Sequence, residues 1–402
     1  MMAVSNALIL AAALLVGLLL ASPRVADNRL WRATITPLAS IIGSGFLVLG
    51  PVLETSYGYL APLVMAALCA GAWLFGAAIR ANIRQLDTPG SQRGALEGRL
   101  ETASSWVLAF AYIISVAYYL NLLGAFGVSL TEVDDRYHAR LLASAVLVLI
   151  LVVGWTRGFH ALERLEQISV GIKLAIIAGL IFGLILFNAE HLRAGDLQFN
   201  PAELTGWPAI TLAFGLIVTI QGFETSRYLK ASYDAATRIR SMRRAQLIST
   251  AIYIVYIGLI AYVFTPSELP FSETAIIDMM RIVAPVLPVL LVAAALSAQF
   301  SAAVADTGGS GGLMVELSGG RISLRWAYAL LVGAGLVLTW TANLFEIIAY
   351  ASRAFALYYA LQAAIAALGA RRSGGQPLRM VGYASLCLLG LAITAFGTPV
   401  EG

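Results

Sequence analysis

Residues 35–51 read ITPLASIIGSGFLVLGP, an apolar run fit for a membrane helix but interrupted at its middle by Gly43-Ser44-Gly45. A second run, residues 207–229, reads WPAITLAFGLIVTIQGFETSRYL and carries Gln221-Gly222-Phe223-Glu224 in its second half. Irregular backbone at membrane depth survives only where protein encloses it or where it lines a cavity, because lipid cannot satisfy free peptide groups. Glycine lets the chain leave the helix at little steric cost and frees amides to meet a ligand. Two interruptions of this kind predict an enclosed site built from two opened helices. The bland alternative for Gly43 and Gly45 is close packing at a helix crossing, a common use of small residues in membranes.

The rest of the chain supports a membrane setting. Of 402 residues, 59% are hydrophobic and 12% charged, against a charged fraction of about 25% in ordinary soluble domains. The apolar residues come in long blocks that match a hydrocarbon core of about 30 Å. Strand alternation is absent, which points to helices and away from an outer-membrane barrel. The expected fold is an all-α polytopic membrane protein of about 12 spans, near residues 7–22, 34–51, 57–79, 104–130, 141–156, 168–188, 207–227, 246–265, 283–305, 324–341, 344–369 and 379–397.

Orientation follows from the positive-inside rule. With the loop after the first span inside, 21 of the 26 lysines and arginines fall on inside segments. Both termini are then expected outside, in an inner or plasma membrane. The net charge of +4 reflects this topology, so nucleic acid is not an expected partner, and the lipid bilayer is. Met1 to Asn6 carry no cation, so the first block reads as a retained helix and not as a cleaved signal peptide. Cys69 and Cys387 fall inside spans and indicate no disulfide framework.

The two interrupted spans stand five apart in order, so they cross in opposite directions, as an inverted five-helix repeat requires. ASIIGSGFLVLGP (39–51) resembles the first core helix of the amino acid-polyamine-organocation (APC) superfamily, whose members have the LeuT-type fold. RGFHALERLEQISVGIKLAIIAGLIFGLILF (157–187) resembles the fifth core helix, and AFGLIVTIQGFETSRYL (213–229) the sixth. The resemblance covers roughly residues 33–370. It departs where amino acid permeases show an acidic-Asn-Pro segment and this chain has LKASYDAATRIRSMRRAQ (229–246). The expected plan is a 5+5 inverted repeat, residues 33–188 and 207–370, with an extra N-terminal helix and cytoplasmic loop (1–32) and an extra C-terminal helix (371–402).

The resemblance implies a secondary transporter of an amino acid, amine or related small solute, with alternating access and proton coupling or exchange. A sodium-coupled symporter and a non-transporting sensor or subunit are the rivals. Gly43, Ser44, Gly45, Gln221, Gly222, Phe223, Tyr118 and Tyr119 are the candidate substrate contacts. Ionisable groups inside a membrane are costly and mark function by default. Glu224 and Arg353 are therefore expected as a gating or proton-linked pair, with Glu346–Arg353 as the structural alternative. Lys173 is open to two readings, snorkelling to the interface or a coupling lysine as in some APC relatives. Ser297 and Ser301, one turn apart, are the possible sodium ligands.

Other motifs carry less. Gly308-Gly309-Ser310-Gly311-Gly312 matches a hydrolase pattern but follows a membrane helix instead of a strand, so a flexible cytoplasmic loop is expected there. His138, His160 and His191 fall in three predicted loops, so no metal site is expected. There is no Walker loop and no dinucleotide fingerprint. Neither an enzyme nor a cofactor is expected, and the oligomeric state is not legible.

Overall fold

The computed structural model describes residues 2–43, 45–87, 93–156, 160–268, 272–372 and 377–400. Among these every regular element is helical. α1 (Met2–Ala21) and the single turn α2 (Pro23–Ala26) precede α3 (Arg29–Ile41) and α4 (Gly45–Tyr57), the halves of the first interrupted span. α5 (Ala61–Leu86), α6 (Ala95–Val128), α7 (Arg136–Thr156) and α8 (His160–Ala194) follow. The second interrupted span is α9 (Gly206–Gly215), a 3₁₀ turn at Ile217–Ile220 and α10 (Thr225–Tyr228). α11 (Ala235–Ile260), α12 (Ala275–Val283), α13 (Leu287–Leu317), α14 (Leu324–Thr341), α15 (Leu344–Arg372) and α16 (Pro377–Phe396) complete the chain.

Eight helical stretches among the described residues are long and apolar enough to cross a membrane by length and composition, with α4 and α5 counting as one through the turn at Gly58–Leu60. Of the other four predicted blocks, two are broken and α11 opens with Arg238, Arg240, Arg243 and Arg244, while α1 is an apolar helix of 20 residues, Met2–Ala21.

The interior of the bundle is α6, which packs along α13 and α15, together with α5 and the broken spans. α3 lies against α11 and α8, and the Ile217–Ile220 turn touches α4, α5 and α15. α7, α14 and α16 keep most of their apolar surface outside the protein, as lipid-facing helices do. α1 is peripheral: Ile9 packs over Gly179 and Gly183 of α8, while Leu14, Leu15, Leu18 and Leu19 stay exposed.

Several sequence expectations are corrected here. Residues 308–312 lie inside α13 and do not form a loop. Their glycines admit close neighbours, Gly309 meeting the Tyr112 ring and Gly311 the Tyr328 ring, and a helix satisfies backbone groups that lipid would leave bare. Asp306, one residue beyond the predicted block 283–305, is likewise well inside α13 and buried. His138 and His191 belong to α7 and α8, and His160 opens α8.

Candidate functional site

The first break is short. α3 starts on Asn28, whose side chain accepts from the amides of Leu30 and Trp31 at 3.0 Å, and ends at Ile41. The chain turns at Gly43 and resumes as α4 at Gly45; Ser44 lies outside the described residues. The second break is longer than the sequence implies. α9 stops at Gly215, Gln221 is extended, and α10 begins only at Thr225. Gly222 has φ +115°, a conformation that is costly for any residue with a Cβ.

The two breaks meet backbone to backbone. A Cβ on Gly45 would run into the Thr219 backbone and side chain, and a Cβ on Gly222 into Ser40. Each interruption therefore supplies the glycine that the other's backbone needs. This reciprocity also explains why both positions are glycine without appeal to flexibility.

Breaking a helix leaves carbonyls without partners, and side chains from three other helices take them up. Tyr253 of α11 donates to both breaks, reaching Ile41 O at 2.9 Å and Thr219 O at 2.8 Å. Ser352 of α15 donates to Gly215 O at 2.6 Å and accepts from the Val218 amide at 3.0 Å. Lys173 of α8 donates to Ala39 O at 2.9 Å and is buried. The snorkelling reading of Lys173 is therefore replaced by an ammonium seated on the carbonyl end of α3.

Glu224 is wholly buried. Its Oε2 accepts from the Gly222 amide and from the Tyr359 hydroxyl, both at 2.9 Å. Its Oε1 has no partner among the described residues. Gln221 donates to the Tyr119 hydroxyl at 2.7 Å, yet its Oε1 is unpartnered there too. Phe223 stacks on Tyr359 with ring centroids 5.1 Å apart, and Tyr118 and Tyr119 are buried beside each other. Tyr112 and Tyr119 lie within electrostatic reach of both Glu224 and Asp306. Asp306 in turn accepts from Ser115 across the α6–α13 contact. Unmet acceptors in a buried place are rare and call for an occupant or water.

The voids beside the two breaks are small. A void of about 10 Å³ lies among Gly43, Lys173 and Ala298, and another of about 10 Å³ among Ile41, Ile220 and Tyr253; each is roughly the space of one water. The open space is at one end of the bundle. A vestibule of about 890 Å³ is lined by Pro51, Glu203, Trp207, Phe345, Arg353 and Phe396, among others.

The opposite, basic end is shut by ion pairs. Arg227, in the last turn of α10, holds Glu101 and Gln362. Gln362 also donates to Ser104 at 2.9 Å and accepts from Asn82 at 2.9 Å. Arg238 donates to Arg227 O at 2.9 Å and pairs with Asp87 at 2.7 Å, and Arg372 pairs with Glu97. Outside the helical core, Asp234 caps α11, and the Thr237 amide and then its hydroxyl hold that carboxyl below its ordinary range.

Glu224 and Arg353 are not brought together. Arg353 is exposed on α15 and donates to Thr394 O at 2.7 Å and Ala395 O at 3.4 Å, closing the end of α16. Glu346 accepts from the Asn343 amide at 2.7 Å and caps α15, so the structural ion pair with Arg353 is not formed either. Both charges serve helix ends, whose free peptide groups attract them. Ser297 faces Ser169 at 2.6 Å, hydroxyl to hydroxyl, and Ser301 is half-buried on the same helix.

Sequence reasoning misses Ser40, Thr219, Tyr253 and Ser352, which make the junction. No local signal marks them, because their role comes from which helices meet. It also misses the ion-pair cluster at the basic end, since Arg227 and Arg238 count in the sequence only as inside charges.

Two comparisons bear on this arrangement. The family model described as "APC superfamily transporter" matches residues 23–397. An uncharacterized protein from Aquifex aeolicus (strain VF5) is 41% identical over 389 residues, covering 94% of each chain. A family match of this extent, on a multi-pass helical bundle with two interrupted spans, means that the chain belongs to the APC transporter superfamily.

Proposed function

We propose that this protein is a secondary transporter of an amino acid, amine or related small organic solute, working by alternating access in a LeuT-type 5+5 repeat of twelve spans, with one extra helix at each end. The observation that carries the reading is the reciprocal meeting of the breaks, Gly45 on Thr219 and Gly222 on Ser40. Broken helices at mid-membrane are the common device for holding a solute between two rocking repeats. The unmet acceptors on Gln221 and Glu224 are the groups left to greet it, with Gly43, Phe223, Tyr118 and Tyr119 around them. Family membership supports a small-molecule substrate and a bilayer setting.

The basic end is read as cytoplasmic, so the ion pairs shut the inner side and the vestibule faces out. Proton coupling is preferred over sodium on one specific contact. The Lys173 ammonium already occupies the Ala39 carbonyl at the first break, the kind of oxygen a sodium ion would seek, and Ser297 is engaged by Ser169. Glu224, held by the Gly222 amide and the Tyr359 hydroxyl instead of by a cation, is the group proposed to exchange the proton.

Uptake into proteoliposomes from a mixed pool of amino acids and amines, read by mass spectrometry, tests this. The expected result is accumulation that survives replacement of sodium by choline, rises with an inward proton gradient and is lost in Glu224→Gln. Accumulation that needs sodium would favour the symporter with Ser297 and Ser301. Binding without accumulation would favour a sensor.

A further inference from the structure

Glu54 is 1% exposed on α4, on the vestibule side of the first break. The second predicted block ends at residue 51, so hydropathy alone does not mark this carboxyl as a membrane charge. Its Oε1 accepts from the Asn200 amide group at 2.8 Å, and its Oε2 has no partner among the described residues. Asn200 also donates to Phe264 O at 2.9 Å. The segment 196–204 that carries Asn200 lies over the end of α4. Tyr59 donates its amide to Asn200 O at 2.9 Å, and Leu204 donates its amide to Ser56 O at 3.0 Å. Gly58, at φ +50°, sits directly under Asn200 and Pro201, with no room for a Cβ.

Among the described residues no cation pairs with Glu54. On its own helix, the Tyr57 hydroxyl donates to Ala209 O. On the covering segment, Glu203 lines the vestibule and Asp196 pairs with His191 of α8. On α11, the Tyr256 ring stacks on Phe46 and Tyr253 serves the breaks. On α12, Asp278 pairs with Arg281 in the open. On α5, Arg80 bonds Gln246. A carboxylate buried with one amide and no countercharge is expensive, whereas a neutral carboxyl is tolerated.

We propose that Glu54 is a second proton-binding site, distinct from Glu224, and that its proton latches α4 beneath the 196–204 segment on the outer side. Loss of the proton leaves a bare carboxylate that is relieved only by water. Deprotonation therefore frees the outer half of the first broken span. The latch gives external pH a hold on outer opening, and it deepens the proton-coupled reading while being testable without any substrate.

The full-length protein in phosphatidylcholine nanodiscs supplies two readouts. The first is the infrared C=O stretch of neutral carboxyls as pH is raised from mildly acidic to mildly alkaline. Glu54→Gln is expected to remove one titrating component and Glu224→Gln a different one. A spectrum unchanged by Glu54→Gln overturns the site. The second is hydrogen exchange of residues 54–60 and 196–204, corrected for the intrinsic pH effect. Opening in the wild type is expected to rise with pH, by up to about tenfold per unit, until the buried carboxyl itself titrates and to level off above that point, and to be flat in Glu54→Gln. Equal pH dependence in both overturns the latch. Asn200→Ala, which keeps the carboxyl but removes its holder, is expected to raise opening several-fold at every pH, and wild-type opening in it overturns the latch as well. Uptake that proved indifferent to pH would sink proton coupling in transport while leaving both readouts standing.

Discussion

The two interrupted spans solve the same problem in different ways. The first opens for a few residues and is held from outside its own helix, by Lys173 on Ala39 O and Tyr253 on Ile41 O. The second opens from Leu216 to Glu224 and supplies part of its own stitching, with the Glu224 carboxylate accepting from the Gly222 amide two residues away. Among the described residues, only the second break keeps buried acceptors in hand, at Gln221 and Glu224. The difference fits the proposed site, with the first break holding and the second receiving the solute. It also locates the backbone constraint, because Gly222 alone of the described junction glycines has positive φ.

Gly222 is where this division of labour breaks most severely. Gly222→Ala places a Cβ against Ser40 in a left-handed conformation that itself costs on the order of 1–3 kcal/mol. It should abolish recovery of monodisperse protein in size-exclusion chromatography. Gly45→Ala, at ordinary φ but against Thr219, should fold with a thermal midpoint several degrees lower, an overpacking cost of about 1–3 kcal/mol. Equal damage from the two would erase the asymmetry. Tyr253→Phe strips one donor from both breaks at once and should cost roughly 1–3 kcal/mol in thermal or denaturant unfolding. Ser352→Ala touches only the second break and should cost about 1 kcal/mol, with weaker solute binding by thermal shift. Smallest is the effect of acid on the basic rim. The Asp234 carboxyl is held below its ordinary range by Thr237, so its capping is complete above that range and lost as pH falls through the lowered value. Hydrogen exchange in the first turn of α11 should quicken there in the wild type and not respond to acid in Asp234→Asn.

The breaks were legible in the sequence because glycines set into an apolar run weaken the helix at the depth where lipid most demands one. The membrane setting was legible because charge was scarce and lopsided. What could not be read is what depends on a partner helix. Lys173 allowed snorkelling or a buried seat, and one residue's depth does not choose between them until α3 is placed beside α8. Arg353 and Glu346 looked costly because their blocks were apolar, yet each closes a helix end at the rim. The glycines at 308–312 looked like a loop because glycine disfavours helices in water, a preference that lipid largely removes. Glu54 was lost to a block edge drawn at residue 51, a turn or two short of the end of α4 at Tyr57.

If both breaks form one solute site, hydrogen exchange at residues 42–46 and 216–224 will show it, followed with and without the mixed amino acid and amine pool. A bound solute is expected to slow exchange at both breaks together, and Glu224→Gln to remove the protection at both. Protection at one break alone, or uptake that proceeds with neither protected, would refute the shared site.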